Sequence, residues 1–533
     1  MKTSAQHSYD GAKHSRIRPD GCTVGEEKSM TPGRGRNKPS RRRSRLRVVF
    51  FHLAAMVVVL SPLVVGELVL RLCVPHPPIN LDDPYVSFAG LRSLFVLDST
   101  GTRFETAEER LACFCPQSFA ARKPPETFRV FCLGGSTVQG RPYAVETSFT
   151  TWLKLNLRAG QPGADYEVVN CGGISYASYR LVPIMQELLK HEPDLFIIYT
   201  GHNEFLEDRT YRRLKRMPRS LLRLHRVMLD LRSYSLAHRF FSSRRAQGTG
   251  DGRSSKPVLP TEVQARLDFS DGLDSYHRDD VWHQDIIEHF RHNLQTMVRM
   301  SNGAGVPIIL VNPVTNLKDC PPFKSQFRTD LSERERERVV ELWEQAGKLD
   351  WADAYDKVVL LEQAAALDNR HAGLLYRIGK CYEHIGRSTE AKKWFLLAKE
   401  EDVCPLRILE PMHDAILDIA AQHRVPLVDA KALIEKRTKD GVPGGEWLLD
   451  HVHPSIAGHQ FIADSLYKTM EEMELVRTPQ DWRATRDELW QRHLSSLNEA
   501  YYAQGLTRLQ RLRNWSRRPI PNPPPRPSDS TQD

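Results

Sequence analysis

The amino-acid sequence predicts an α/β fold in which helices cover a parallel sheet. Short apolar runs alternate with helical stretches along the chain. Most of these runs are apolar at every position, which is typical of strands that are buried on both faces. Glycines and polar residues follow several runs at the point where each run ends. Since parallel α/β sheets bind ligands at the carboxyl ends of their strands, we expect the functional site at that edge.

Five apolar runs are interpreted as the strands of this sheet. In chain order they cover 128–133, 167–171, 195–199, 306–311 and 425–428. Helical stretches are predicted between them near 146–159, 178–191 and 282–302. The main domain is therefore expected in two parts, 76–330 and 405–475. Its first part contains an insertion at 206–280, a basic, Leu-rich helical stretch followed by a flexible Ser/Gly/Arg linker at 242–256.

A second insertion, 331–404, is helical and has tetratricopeptide-like spacing. Small and large residues alternate from Leu375 to Ala398, and a shift of about 34 residues, the length of one such repeat, maps Phe395 onto Leu361. We expect one good repeat and one degenerate copy, packed on the main domain and able to bind a protein partner. An ordinary helical hairpin is the alternative.

The charge of the chain is concentrated at its N-terminus. The net charge is +9, and residues 1–47 alone hold 13 Lys/Arg against 4 Asp/Glu, so the remainder is neutral. This distribution argues against a globally basic nucleic-acid-binding surface. Residues 1–47 are interpreted as a disordered, basic, cytoplasmic tail.

An uncharged run, 48–66, follows the basic tail. We predict a single transmembrane helix over 48–73, with everything after it outside the cytoplasm. A cleaved signal peptide, a buried core helix and a nucleic-acid-binding Arg cluster are the alternatives. At the other end of the chain, a helical segment is expected at 479–514, before a disordered, Pro-rich tail at 515–533.

The sequence offers no metal-binding pattern. Its nine cysteines lack zinc-site spacing, and no third ligand accompanies His451 and His453 at a suitable distance along the chain. We therefore expect neither a metal nor a cofactor. Disulfide pairing and oligomeric state are left open by the spacing.

Polar residues with complementary chemistry follow the strand ends. Ser136 comes after a Gly-Gly turn at the first strand, Asn203 follows the third strand, and Asp450 and His453 precede a helix that begins near Ser455. A nucleophilic serine needs a base, and that base needs an acceptor that orients it. His453 and Asp450 are candidates for these two roles. The amide of Asn203 is a candidate donor to an oxyanion.

These segments resemble a known family. Gly134-Gly-Ser-Thr137, Gly201-His-Asn-Glu204 and Asp450-x-x-His453 are similar, in order and spacing, to three sequence blocks of the SGNH/GDSL hydrolases. The resemblance implies a flavodoxin-like three-layer αβα domain, with Ser136 as nucleophile, His453 as base and Asp450 as its orienting group.

The resemblance also implies an oxyanion hole formed by Ser136, Asn203 and a residue of the 170–176 block. Ser175 aligns best with the glycine of the family, and Gly172 or Gly173 is the alternative. Gly135 stands where the family usually has an acidic residue.

The leading interpretation is a membrane-anchored serine esterase or acylhydrolase that cleaves an ester of a lipid or of an O-acylated carbohydrate through an acyl-enzyme. An O-acyltransferase that modifies a cell-surface polysaccharide is the second interpretation, because the same acyl-enzyme can react with a hydroxyl group. A catalytically inactive scaffold that binds partners through its repeats is the third. The acyl and alcohol groups of the substrate are left open.

Overall fold

The computed structural model describes residues 41–73, 83, 85–88, 92–207, 228, 233, 258–260, 263–268, 272–477 and 479–516. The predicted basic helical stretch after 206 and the 242–256 linker lie almost wholly outside the described residues, as do 1–40 and 517–533. The chain divides into two units, residues 1–66 and residues 67–533.

The strands of the described residues are numbered in chain order. They are β1 (Ser87–Phe88), β2 (Phe95–Leu97), β3 (Arg103–Thr106), β4 (Ser118–Ala120), β5 (Thr127–Gly134), β6 (Asp165–Gly172), β7 (Leu195–Tyr199), β8 (Val258–Leu259), β9 (Ile308–Asn312) and β10 (Leu427–Asp429).

The α-helices of the described residues are numbered in the same way. They are α1 (Arg41–Cys73), α2 (Ser136–Gln139), α3 (Phe149–Gly160), α4 (Ser178–Leu188), α5 (Asp280–Ala304), α6 (Glu333–Lys348), α7 (Ala354–Leu367), α8 (Ala372–His384), α9 (Ser388–Glu400), α10 (Glu410–His423), α11 (Ala430–Arg437), α12 (Ile456–Glu472), α13 (Trp482–Ser496) and α14 (Glu499–Ser516).

The main sheet has five strands in the order β10-β9-β7-β5-β6, and every neighbouring pair is parallel. Numbered within the sheet, this order is 2-1-3-4-5, the flavodoxin-like arrangement. The predicted parallel sheet is confirmed, and each strand lies close to its predicted position. The chain reverses its direction of winding between β5 and β7, which is where such sheets bind ligands.

Two cores lie on opposite faces of this sheet. Val130 and Cys132 of β5 belong to one core, which α3 and α12 complete with side chains such as Trp152 and Leu466. Phe131 of the same strand points the other way, into a core formed with α4, α5 and α10. Alternate side chains of a strand point to opposite faces, so an all-apolar strand requires helices on both sides. The domain therefore has three layers.

Smaller sheets, which the sequence analysis did not predict, precede and accompany the main one. Strands β2, β3 and β4 form an antiparallel sheet, and β1 pairs with β8 in parallel.

The insertion between β9 and β10 carries helices α6 to α9. Gly379 of α8 packs against the ring of Phe395 in α9, with space for a hydrogen but not for a methyl group. Leu317 and Val442, which lie outside the insertion, join its core. The insertion is thus packed on the main domain.

The N-terminal helix α1 differs from the predicted transmembrane helix in where it begins and in the charges it contains. Residues Arg41 to Arg47 belong to α1 and not to a disordered tail, in keeping with the good helix propensity of arginine. The arginines at its start and the Glu67–Arg71 ion pair (3.1 Å) near its end leave only 48–66 uncharged. Within the described ranges, no helix is both long and apolar enough to cross a membrane. The transmembrane helix predicted over 48–73 is therefore not supported.

Candidate active site

Ser136, His453 and Asp450 form one continuous hydrogen-bonded chain. The Oγ of Ser136 lies 2.8 Å from Nε2 of His453, and Nδ1 of His453 lies 2.7 Å from Oδ2 of Asp450. A carboxylate accepts hydrogen bonds, so Nδ1 carries the imidazole hydrogen and Nε2 is left to accept from the serine. The imidazole is thus held in the tautomer that a general base requires.

The carboxyl group of Asp450 is buried and well satisfied. Its Oδ1 accepts from the backbone N–H groups of Val452 and His453, both at 2.9 Å. Burial opposes its ionisation, but the positive charges that His453 and His451 can carry, together with these hydrogen bonds, hold the pKa of Asp450 below its ordinary value. Asp450 is therefore a carboxylate at neutral pH.

The Asp450–His453 segment is fixed by its own loop and by a residue that follows β9. Within the loop, the N–H of Leu449 donates to the carbonyl of His453 at 2.8 Å. From outside, Asn316 donates its side-chain amide to the carbonyl of Asp450 at 3.1 Å and its backbone N–H to the carbonyl of His451 at 3.0 Å. These contacts bring two segments that are distant in sequence to one edge of the sheet.

Ser136 is positioned by the turn between β5 and α2. It is the first residue of α2, directly after Gly135, which caps the helix in an extended conformation. A methyl group on Gly135 would lie 2.5 Å from the side-chain nitrogen of Asn203. Only glycine leaves room for the two segments to approach this closely.

Asn203 lies on the same cavity as Ser136. Its side-chain amide donates to the carbonyl of Tyr176 at 3.0 Å. A primary amide has two N–H groups, so this bond anchors the side chain and leaves a second N–H for another acceptor.

The structure distinguishes among the three candidates for the oxyanion donor of the 170–176 block, which are Gly172, Gly173 and Ser175. The N–H of Gly172 donates to Oδ1 of Asn170 at 3.0 Å, and Gly172 does not line the cavity. The N–H of Gly173 is also engaged, with the carbonyl of Gly134 at 3.0 Å. Ser175 does line the cavity, and its N–H makes no hydrogen bond within the described part of the chain. Ser175 therefore shares the cavity with Ser136, whereas Gly172 does not.

Ser175 adopts a left-handed backbone conformation, with φ of 62°. This region is unfavourable for residues other than glycine, by about 1 kcal/mol or more. Ser175 holds this conformation in a turn that lines the cavity.

The cavity has a volume of about 390 Å³. Ser136, Asn203, Ser175 and His453 lie on it. The apolar wall of the cavity is formed by Ile174, Leu206, Ala265, Leu267, Leu406 and Val452. A serine hydroxyl, a base and hydrogen-bond donors that share a cavity of this kind are suited to nucleophilic attack on a carbonyl group.

Three arginines complete the cavity: Arg141, Arg508 and Arg511. The sequence analysis assigned no role to them or to Asn316. Arg508 and Arg511 belong to α14, more than 300 residues from Ser136 along the chain. Because no motif marks which face of a terminal helix docks on a distant loop, the sequence carried no signal for them.

Two further histidines, His451 and His459, lie near the Ser136–His453–Asp450 chain. His451 lines the cavity with its ring against Phe323 (centroids 5.2 Å apart), and burial lowers its pKa to about 4. His459 is buried behind the site, where Nδ1 accepts from the N–H of Phe149 at 3.2 Å, and burial lowers its pKa to about 3. Both are neutral at pH 7.

Comparisons with known proteins give weak likenesses only. No protein-family model matches the chain, and no curated protein matches it. A lipase/acylhydrolase from Enterococcus faecalis is similar in structure, with 12% identity, a TM-score of 0.30, and coverage of 66% of this chain and 99% of that one. Axe2, an acetylxylan esterase from Geobacillus stearothermophilus, has 13% identity, a TM-score of 0.29, and coverage of 66% and 96%.

A structure assigned to the G-D-S-L family of lipolytic proteins, from Desulfitobacterium hafniense DCB-2, is similar to the same extent. Its identity is 12%, its TM-score is 0.28, and the coverage is 64% of this chain and 98% of that one. Values of this size carry no conclusion about the activity of this chain, which has to be argued from its own site.

Proposed function

We propose that this protein is a serine esterase or acylhydrolase that works through an acyl-enzyme, with Ser136 as nucleophile, His453 as general base and Asp450 as the group that orients the base. The observation that carries the proposal is the unbroken chain from Ser136 Oγ through His453 to Asp450, with distances of 2.8 and 2.7 Å. Distances of this size are those of working catalytic hydrogen bonds.

In the first half-reaction, Ser136 Oγ attacks the carbonyl carbon of an ester and its proton passes to Nε2 of His453. Asp450, ionised and hydrogen-bonded to Nδ1, stabilises the imidazolium that forms. The tetrahedral intermediate then collapses, the alcohol leaves with the proton from His453, and the acyl group stays on Ser136.

In the second half-reaction, His453 takes a proton from a water molecule that attacks the acyl-enzyme. The acid product leaves and the proton returns to Ser136 Oγ, which restores the enzyme.

In both half-reactions, the negative charge that develops on the carbonyl oxygen has to be stabilised by hydrogen-bond donors. We assign this role to the N–H of Ser175, which makes no hydrogen bond within the described residues, and to the second amide N–H of Asn203, since both residues line the cavity. The backbone N–H of Ser136, the first of α2, is a third donor, since the first N–H groups of a helix have no partner within it.

Hydrolysis of p-nitrophenyl acetate by the full chain tests this proposal. We expect turnover, and a loss of at least about 10³-fold in kcat for Ser136→Ala. Ser465→Ala, on α12 and outside the cavity, is the matched control and is expected to keep full activity. Equal rates for wild type and Ser136→Ala would refute the assignment.

The substrate and the location of the site form part of the proposal. The ester belongs to a lipid or to an O-acylated carbohydrate, and the domain lies outside the cytoplasm with residues 1–47 inside. The location rests on the charge pattern alone. In a cysteine-accessibility assay, Cys22 is expected to be protected and a cysteine introduced at position 250 to be labelled from outside. The reverse pattern would overturn the orientation.

We also propose that helices α6 to α9 are tetratricopeptide-like repeats that bind a protein partner. The close packing of Gly379 on Phe395, and the burial of Ala391 and Ala398, support this interpretation because the repeats place small residues where their helices meet.

A further inference from the structure

The candidate active site has a strongly cationic side. Arg141, which follows α2, and Arg508 and Arg511, both on α14, line the same cavity as Ser136. The backbone places Arg141 beside the nucleophile, because its N–H donates to the carbonyl of Ser136 at 3.1 Å. Three positively charged side chains therefore line a pocket that also has an apolar wall.

Within the part of the chain that the structure describes, the side chains of Arg141 and Arg508 pair with uncharged groups. Arg141 donates Nε to the amide oxygen of Gln139 at 2.8 Å, and Arg508 donates a guanidinium N–H to the carbonyl of Tyr143 at 3.0 Å. Both acceptors are uncharged. Among the described residues, no carboxylate lies within ion-pair distance of any of the three arginines.

Arg141 and Arg508 lie close enough for their charges to interact. Burial and the neighbouring positive charge of Arg508 lower the pKa of Arg141. Helix α14 is nevertheless held firmly in this position. The hydroxyl of Tyr501 lies 2.7 Å from Thr147 Oγ1, its ring stacks on that of Tyr143, and Gly505 lies directly against Tyr143.

We infer that Arg141, Arg508 and Arg511 form a binding subsite for an anionic group of the substrate, so that the enzyme acts on esters that also carry a carboxylate, phosphate or sulfate. This inference rests on the proposed esterase function. Arginine binds such groups with paired, charge-assisted hydrogen bonds, and a ligand anion would offset the repulsion between Arg141 and Arg508. The apolar wall takes the uncharged part of the substrate.

Matched pairs of esters test the inference and show which side of the ester carries the charge. For the acyl side, the pair is p-nitrophenyl hydrogen adipate and p-nitrophenyl hexanoate. For the alcohol side, it is 4-acetoxybenzoate and 4-acetoxybenzamide. Wild-type protein is expected to have the higher kcat/KM for the charged member of at least one pair. The ratio of charged to neutral is expected to fall about 10-fold in Arg508→Gln/Arg511→Gln.

The control is Arg492→Gln, which removes an exposed arginine of α13 that lies outside the cavity and is expected to leave the ratio unchanged. A ratio that is the same in wild type and in the double variant for both pairs would overturn the subsite. Turnover of the neutral esters in that experiment would leave the esterase function standing. A protein that hydrolyses none of the four esters would refute the esterase function instead.

Discussion

The smallest feature on which the site depends is the absence of a side chain at Gly135. The glycine lets the amide of Asn203 approach the turn that carries Ser136, and a methyl group there would meet the amide nitrogen at 2.5 Å. Such a contact is shorter than any stable packing distance, so one of the two segments has to move.

Gly135→Ala is therefore expected to displace the Asn203 amide and to lower kcat for p-nitrophenyl acetate by about 10²-fold, the size of effect that follows the loss of one oxyanion donor. Gly163→Ala is the matched control, because a methyl group on Gly163 has no atom within 4 Å. Full activity of Gly135→Ala would show that Asn203 does not act from its present position.

The base and its orienting carboxylate are expected to differ in importance. His453→Ala removes the proton acceptor and is expected to abolish labelling of Ser136 by a fluorophosphonate. Asp450→Asn keeps the imidazole and the oxyanion donors, so it is expected to slow labelling by a smaller factor. Time courses of labelling measure both rates. A rate for His453→Ala that equals that of wild type would count against the mechanism.

At the scale of elements, the main feature that the sequence did not predict is the position of helix α14 on the cavity. It closes one side of the cavity and is locked against the 143–147 segment by Tyr501 and Gly505. A side chain on Gly505 would collide with the ring of Tyr143.

Gly505→Leu is accordingly expected to loosen α14 from the cavity. Hydrogen exchange of backbone amides in 499–516 is expected to become faster, although leucine has the higher helix propensity. Gly347→Leu, on the exposed surface of α6 with no atom within 4 Å of the added carbon, controls for that propensity. Unchanged exchange in 499–516 would show that α14 is not held by this contact.

Some elements and site residues could be predicted from the sequence, and others could not. Strands such as Leu195–Tyr199 were predictable because a fully buried parallel strand is apolar at every position. The order of the polar segments along the chain was enough to group Ser136, Asn203, Asp450 and His453. The sequence did not reveal that Asn170 engages the N–H of Gly172, since that contact depends on the local conformation of the strand end.

The sequence also could not predict how helices pack on distant parts of the chain. A helical period shows that α14 is a helix, but it does not show which distant loop the helix covers. The small antiparallel sheet of β2, β3 and β4 was missed for a related reason, because its strands are short and partly exposed and lack a long apolar run.

For the molecule as a whole, buried histidines make stability depend on pH. Burial lowers the pKa of His283, His371 and His451 to about 4, against an ordinary value of 6.5. Between pH 6.5 and pH 4 the unfolded chain therefore binds more protons than the folded one, and the free energy of unfolding falls as the pH falls through this window. Asp402, whose pKa burial raises to about 6, opposes the trend, as do Glu400 and Asp464, whose pKa burial also raises.

Urea unfolding is thus expected to show a lower midpoint at pH 5 than at pH 7.5. His371→Asn is expected to reduce this pH dependence by roughly 1.4 kcal/mol per pKa unit removed. Asparagine is a good N-cap, so it can replace the capping contact that His371 makes with the N–H of Leu374 (3.3 Å). An unchanged pH dependence in His371→Asn would show that this histidine is not held neutral in the fold.

Covalent labelling followed by mass spectrometry tests the central claim most directly, because it reports the activation of Ser136 without a choice of substrate. The full chain is treated with a fluorophosphonate at neutral pH and digested. A single phosphonyl adduct on the peptide that contains Ser136, absent from Ser136→Ala, is the result expected from the Ser136–His453–Asp450 chain. An unmodified Ser136 in a folded protein would contradict it.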